Sequence, residues 1–167
     1  MEKWFDRKTT RLPEYDYNTP GAYFLTICTE NKKCILSRIV GTGVLDGPKI
    51  ALLPYGKAAE KYILQLNHFY DNLSVESYVI MPNHIHILLR ITEEGPSGTP
   101  VPTLQNSAVS RFVSTLKRFC NKDYGKNIWQ PRSYDHIIRD QADFDRHLKY
   151  IYENPFGWQK DELYIAE

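Results

Sequence analysis

The sequence predicts an α+β protein in which helices cover one face of an antiparallel sheet. Segments rich in β-branched and aromatic residues alternate with segments whose apolar residues recur at spacings of three and four. Two of the strand-like segments are joined by a very short connection, which is typical of antiparallel neighbours. The length of 167 residues suits one core, so we expect residues 1–167 to form a single domain, with residues 1–20 as an extended N-terminal arm.

The first half of the chain is predicted to hold strands and one helix. Residues 22–28 have strand composition, and residues 41–53 contain Gly43-Val-Leu-Asp-Gly47, which predicts a hairpin turn with a short strand on each side. A helix is predicted over residues 54–69, because proline suits the first helical turn and apolar residues follow at helical spacing. Strands are predicted over residues 73–80 and 85–91, on either side of Pro82-Asn83.

The second half is predicted to hold two helices and one strand. Residues 93–102 are dense in glycine and proline and indicate a surface loop. Helical spacing extends over residues 103–123, with Gly125 near the helix end, and a short strand follows over residues 133–138. The last helix covers residues 142–154 and ends before Pro155, which cannot continue the hydrogen-bond ladder. The order of elements resembles the split βαβ, or ferredoxin-like, plan.

Composition narrows the class of protein. The content of 42% hydrophobic and 25% charged residues is ordinary for a globular protein, and a net charge of +1 predicts neither a strongly acidic nor a strongly basic partner. No apolar run approaches the roughly 20 residues that cross a bilayer, so we expect a cytoplasmic protein without membrane contact. Cys28, Cys34 and Cys120 form no CxxC pair, which argues against a disulfide framework or a cysteine zinc site.

Two histidines in the second central strand form the most informative feature. His84 and His86 are separated by one isoleucine, so their rings project from the same face of the strand. A buried strand has no packing use for two adjacent polar rings, so the pair suggests a divalent metal held against a substrate. The alternative is a pair of hydrogen-bonded core or surface histidines.

The last helix places a second set of polar residues on one face. At about 100° per residue, the core-facing stripe consists of Phe144, Leu148 and Ile151. A stripe beside it consists of Tyr150, Asn154 and His147. This pattern fits a tyrosine nucleophile beside a metal, because a phenol of pKa near 10 needs a nearby cation or base. Two imidazoles and an amide are compatible with Mg²⁺ or Mn²⁺. The alternatives are a packing tyrosine and a helix-ending asparagine.

Six stretches carry a resemblance to a known family: residues 15–17, 21–29, 78–86, 112–117, 128–140 and 150–155. The most specific combination is Met81-Pro-Asn-His-Ile-His86 joined to Tyr150-Ile-Tyr-Glu-Asn-Pro155. With these motifs the sequence resembles the REP-associated tyrosine transposases, relatives of the single-tyrosine insertion-sequence transposases in the HUH nuclease class.

The resemblance implies a set of site residues and an HUH endonuclease fold. His84 and His86 match the metal-binding histidines of that family, Tyr150 its nucleophile and Asn154 its third metal ligand. The implied cofactor is Mg²⁺ or Mn²⁺. His136 and Arg139 fall in a family-typical stretch without a role to transfer, and His147 is a geometric neighbour.

The resemblance also implies an activity and a partner. Such a protein is a single-stranded DNA endonuclease and strand transferase that acts near REP-like hairpin DNA through a 5′-phosphotyrosine. A homodimer and a monomer are both compatible with the resemblance. Candidate DNA-binding residues are Arg111, Lys117, Arg118, Lys122, Arg132, Tyr15 and Trp129. For Trp129 a core or lid position is the favoured alternative to base stacking.

Two other functions remain open at this point. The first is a catalytically silent or domesticated regulatory protein that binds DNA hairpins. The second is a small zinc hydrolase that uses His84 and His86, for which the sequence offers no obvious third strong ligand.

Overall fold

The computed structural model of the chain describes residues 15–41, 47–92 and 107–166. In that part of the chain the strands are β1 (Gly21–Cys28), β2 (Ser37–Val40), β3 (Lys49–Leu52), β4 (Leu73–Ile80), β5 (His84–Ile91) and β6 (Tyr134–Ile137). The helices are α1 (Pro54–Phe69), α2 (Ala108–Tyr124) and α3 (Gln141–Glu153). None of these helices is long and apolar enough to cross a membrane.

The main sheet has four antiparallel strands in the order β4-β5-β1-β6. β2 and β3 form a separate antiparallel hairpin between β1 and α1 in the chain. Without this hairpin the chain runs β1, α1, β4, β5, α2, β6, which is the split βαβ plan. The predicted α+β fold class is therefore confirmed.

Residues 103–106 of the second predicted helix lie outside the described residues, and two hydrogen bonds define the start of α2. The helix begins at Ala108, because Ser107 accepts a hydrogen bond from the Ser110 N–H and the Asn18 side chain accepts one from the Ala108 N–H. These bonds satisfy two backbone donors of the first turn. Residues 1–14 of the predicted arm, residues 42–46 of the predicted turn and the predicted loop at 93–102 lie outside the described residues.

The two faces of the main sheet differ in chemistry. On β5 the odd positions, Ile85 to Ile91, join α1 and α2 in one core of aliphatic and aromatic side chains. The even positions face the other side, where Leu88 packs with Phe24 of β1 and Ile151 of α3. His84 and His86 are even positions, so they lie on the side that α3 covers.

One detail of the predicted architecture requires correction. α1 and α2 lie on one face, as expected, but α3 packs on the opposite face against β4 and β5. The residues of α3 and its C-terminal end that are most deeply buried are Asp143, His147, Ile151 and Asn154, whereas Phe144 and Leu148 are half-buried. The inward face of α3 is thus centred on the polar stripe, because the sheet beneath it presents histidines as well as apolar side chains.

Candidate metal site and nucleophile

β5 places His84 and His86 side by side beneath α3. Their side chains are 0% and 1% exposed, and their ring centroids lie 4.5 Å apart. Polar side chains buried to this extent need hydrogen bonds or a bound ion to offset the loss of water.

The Nδ1 atom of each ring has a defined hydrogen bond. His84 Nδ1 lies 2.8 Å from Asn83 Oδ1, and the amide of Asn83 is oriented because its Nδ2 donates to the carbonyls of Leu163 and Lys32. His84 therefore donates through Nδ1, and its buried Nε2 carries the lone pair that a metal requires. His86 Nδ1 lies 2.9 Å from the Thr26 hydroxyl on the neighbouring strand, and the Nε2 of His86 is buried as well.

α3 brings Tyr150 and Asn154 to these histidines within one chain. The Tyr150 ring centroid lies 5.2 Å from that of His86 and 6.0 Å from that of Phe24. Asn154, directly after α3, is 4% exposed, and its Oδ1 is buried without a hydrogen-bond partner among the described residues. Tyr150 of the helical stripe that the sequence predicts thus packs against His86.

Asp161 is a site residue that sequence reasoning missed. Its carboxylate accepts hydrogen bonds from the Tyr150 hydroxyl and the Asn154 Nδ2, both at 3.3 Å, and from the Leu163 N–H at 2.7 Å. Ligand atoms of Asp161, His84 and His86 all lie within 4.8 Å of one another. Asp161 follows a 3₁₀ turn at Trp158–Lys160 and belongs to no periodic pattern, so nothing in the sequence marks it.

The donor set suits a divalent cation. Two imidazole nitrogens and the Asp161 carboxylate converge, and Asn154 donates to that carboxylate through its Nδ2. The Asn154 oxygen has no hydrogen bond within the described parts of the chain, which is costly unless something binds it. Mixed nitrogen and oxygen ligands match Mn²⁺ better than Mg²⁺, which prefers oxygen alone. The residues present therefore fit a bound metal.

A second polar cluster holds the start of α3 on β6. Asp143 accepts hydrogen bonds from His136 at 2.9 Å, from the Arg139 N–H at 3.1 Å and from Arg146 at 3.0 Å. Burial by itself would raise the pKa of Asp143, but these bonds outweigh it and lower the pKa to about 2.

His147 completes that cluster, and the Phe24 ring packs against both His147 and His86. The Nδ1 of His147 donates to the Asp143 carbonyl at 2.8 Å, and its ring packs on His136 and Phe24. Burial lowers the pKa of His147, so the ring is neutral at pH 7. Ligand atoms of His136, Asp143 and His147 also lie within 4.8 Å of one another, but Arg146 occupies the carboxylate, which favours a hydrogen-bond cluster over a metal site.

Three of the candidate DNA-binding residues contact other parts of the protein. Trp129 is 1% exposed and belongs to the core, which is the packing role weighed against base stacking. Tyr15 is half-buried, with its ring 5.2 Å from that of Tyr17. Lys117 donates to the carbonyls of Gln130, Pro131 and Arg132 and so anchors that segment.

The remaining candidate cations lie at the surface. They are Arg111, Arg118, Lys122 and Arg132. The first three belong to α2, so they lie on the other side of the sheet from His84 and His86. Arg139 is also at the surface and contributes its backbone N–H to Asp143.

Fold and site together define a class of α+β proteins in which a helix places a tyrosine against a pair of histidines on a sheet strand. No family model matches the chain. An uncharacterised protein of Haemophilus influenzae is 30% identical over 95% of this chain and 93% of its own length. A second H. influenzae protein, provisionally assigned as a REP-associated tyrosine transposase, is 35% identical over 84% of this chain and 73% of its own length.

Further comparisons agree with this class. The REP-associated tyrosine transposase of Escherichia coli K12 is 34% identical over 52% of this chain and 47% of its own length. A solved structure of a REP-associated tyrosine transposase bound to a REP hairpin superposes with a TM-score of 0.59 at 21% identity, over 89% of this chain and 73% of that chain, and so shares the fold. The chain belongs to the family of REP-associated tyrosine transposases.

Proposed function

We propose that this chain is a metal-dependent endonuclease and strand transferase for single-stranded DNA, acting next to hairpins through a 5′-phosphotyrosine. The observation that carries the proposal is that Tyr150 packs against His86, while Asp161 joins Tyr150 and Asn154 to the two histidines inside one chain. The family relationship and the hairpin bound by the structural neighbour support the choice of DNA as substrate.

The residues divide the chemistry between them. His84, His86 and Asn154 would hold the metal, with Asp161 as a further oxygen ligand. A divalent metal bound there would withdraw negative charge from a phosphate oxygen and would orient the scissile bond. The Tyr150 oxygen forms a bond to phosphorus, and the bond from phosphorus to the 3′-oxygen breaks. The phenol loses its proton and the departing 3′-oxygen gains one. Because one phosphodiester bond is exchanged for another, no external energy source is needed.

The decisive experiment replaces the nucleophile. Purified wild-type protein, incubated with Mn²⁺ and a labelled single-stranded REP-like hairpin, is expected to form a covalent protein–DNA adduct that survives denaturing electrophoresis. Tyr150→Phe lacks the attacking oxygen, so we expect complete loss of the adduct with DNA affinity largely unchanged. Tyr152→Phe is the matched control, because Tyr152 is 67% exposed and belongs to the same helix.

The outcomes separate the proposal from a silent DNA-binding protein. An adduct that persists in Tyr150→Phe would show that another residue attacks the phosphate. Binding of the hairpin by wild type without any cleavage or adduct, with Mn²⁺ or Mg²⁺ present, would favour the domesticated regulatory role.

Asp161 supports one further candidate, a zinc hydrolase. Two histidines and a carboxylate are a frequent ligand set of catalytic zinc, and Asp161 would be the third strong ligand that the sequence did not reveal. Elemental analysis of the purified protein tests this candidate. Stoichiometric zinc, together with DNA hydrolysis that needs no tyrosine adduct, would favour it over the transferase.

A further inference from the structure

An open groove of about 830 Å³ lies beside the candidate metal site. Its walls come from the β2–β3 hairpin and from the chain that follows α3. Four of the seven large apolar side chains that are exposed in the described residues line it: Val40, Phe156, Tyr164 and Ile165. Such concentration of exposed apolar surface indicates a binding site rather than scattered surface residues.

The groove is continuous with the metal site through aromatic rings. Trp158 lies between them, with its ring 5.9 Å from that of His84 and 5.2 Å from that of Tyr164. Pro155, which also lines the groove, directly follows Asn154. A ligand in the groove therefore extends toward the position where Tyr150 would attack.

Charge and ring exposure favour nucleic acid as the occupant. Arg38 and Lys160 line the groove, and no aspartate or glutamate does so among the described residues. Phe156 is 71% exposed, and its ring lies against the backbone of Gly47, where an added Cβ would come within 3.1 Å. Aromatic faces beside cations are the features with which proteins hold single strands, since bases stack on the rings and cations contact the phosphates.

We propose that this groove binds the unpaired nucleotides next to the hairpin and guides them to Tyr150, with Phe156 as a stacking surface and Arg38 and Lys160 as phosphate contacts. The inference rests on the proposed function for its substrate. Phe156 takes the place of Trp129 and Tyr15, which pack against other side chains of the protein, as the candidate for contact with the unpaired strand.

The test compares two DNA probes without metal, so that cleavage plays no part. Fluorescence anisotropy in EDTA would measure Kd for a bare hairpin and for the same hairpin with an unpaired thymidine flank of ~8 nucleotides on each side, a length typical of single-strand sites. We expect Phe156→Ala to raise Kd for the flanked probe about tenfold, as loss of one stacked base costs, and to leave the bare hairpin unaffected.

Matched controls use equivalent residues away from the groove. Phe69→Ala removes a ring that is 73% exposed on α1 and should change neither Kd. Arg38→Gln with Lys160→Gln should reduce the salt dependence of flanked-probe binding, by a slope of about 0.7 for each phosphate that is no longer neutralised, while Lys57→Gln should not.

Three outcomes would overturn the inference. Wild-type protein that binds both probes equally would show that no flank site exists. If Phe156→Ala raises Kd equally for both probes, or for neither probe, the unpaired flank binds elsewhere on the protein. A change of oligomeric state in Phe156→Ala without a change in Kd would make the groove an interface between copies. Because no probe is cleaved in EDTA, none of these outcomes depends on whether Tyr150 forms an adduct.

Discussion

Two buried side chains orient the histidine rings of the candidate site. The Asn83 amide is oriented by two backbone carbonyls and accepts from His84, and Thr26 contacts His86 across the strand pair. Partners of this kind hold a metal-binding ring in one tautomer and orientation, and their loss commonly weakens metal binding. Asp161 orients Tyr150 and Asn154 in the same way, because its carboxylate accepts a hydrogen bond from each of them.

We expect Asp161→Asn to weaken Mn²⁺ binding roughly 10- to 100-fold, either because a ligand is lost or because the Asn154 amide loses its orienting partner. His86→Ala should abolish measurable binding. Isothermal titration with Mn²⁺ on the DNA-free protein measures both effects. Glu162→Gln, an exposed neighbour, is the control. Wild-type affinity in Asp161→Asn would remove Asp161 from the site.

At the scale of elements, α3 depends on the cluster around Asp143 for its position on the sheet. Asp140 caps the helix by accepting from the Asp143 N–H, and Asp143 in turn binds His136 on β6. These bonds join the helix start to the sheet edge, and Tyr150 and Asn154 follow two and three turns later.

Asp143→Asn is expected to destabilise the protein by about 2 kcal/mol at pH 7, as follows from a pKa lowered from 3.8 to about 2. A carboxyl with a depressed pKa stabilises the fold above its unfolded value, so the difference from wild type should be full above about pH 4 and vanish as pH falls toward 2. Urea unfolding at several pH values measures it. Asp145→Asn on the exposed side of α3 should show no such trend.

The junction of the hairpin and α1 leaves no room for a side chain at Gly56. A Cβ there would lie 2.0 Å from the Leu36 carbonyl oxygen, which is backbone and cannot rotate away. We expect Gly56→Ala to cost about 3 kcal/mol of unfolding free energy through overpacking. Gly157→Ala, whose Cβ would meet nothing closer than 3.8 Å, should cost far less in the same thermal or urea unfolding experiment. Equal stability of the two variants would contradict the close contact.

At the scale of the whole molecule, the main sheet separates two surfaces. One side carries α1 and α2 with the surface cations of α2, and the other carries α3, the histidines and the groove. A DNA hairpin that contacts both of these surfaces must pass around an edge of the sheet. Phosphate contacts from α2 would add affinity without sequence information.

If DNA reaches α2, replacing Arg111, Arg118 and Lys122 by glutamine should reduce the slope of log K against log salt by about 0.9 for each duplex phosphate that is no longer neutralised. The rate of adduct formation on saturating DNA should stay near wild type, because these side chains lie across the sheet from Tyr150. Kd measured at several salt concentrations tests this, and an unchanged slope would exclude α2 from the interface.

Much of this architecture follows from local patterns in the sequence. The bounds of α1 and β4 agree with those predicted, and the alternation of residues along β5 is enough to place His84 and His86 on one face. Helical spacing likewise puts Tyr150 and Asn154 on one stripe. These features depend only on periods of two and 3.6 residues, which a segment of about a dozen residues already determines.

Other features required the tertiary structure, because they depend on contacts between residues far apart in the chain. No local periodicity in the sequence predicts the face on which α3 packs, the burial of Trp129 or the position of Asp161 in the candidate site. The groove forms only where the β2–β3 hairpin meets the segment after α3. The sequence by itself therefore determined which side chains share a strand face or a helix stripe, and packing decided what surrounds them, because neighbours across a fold are set by burial and hydrogen bonding of the whole chain.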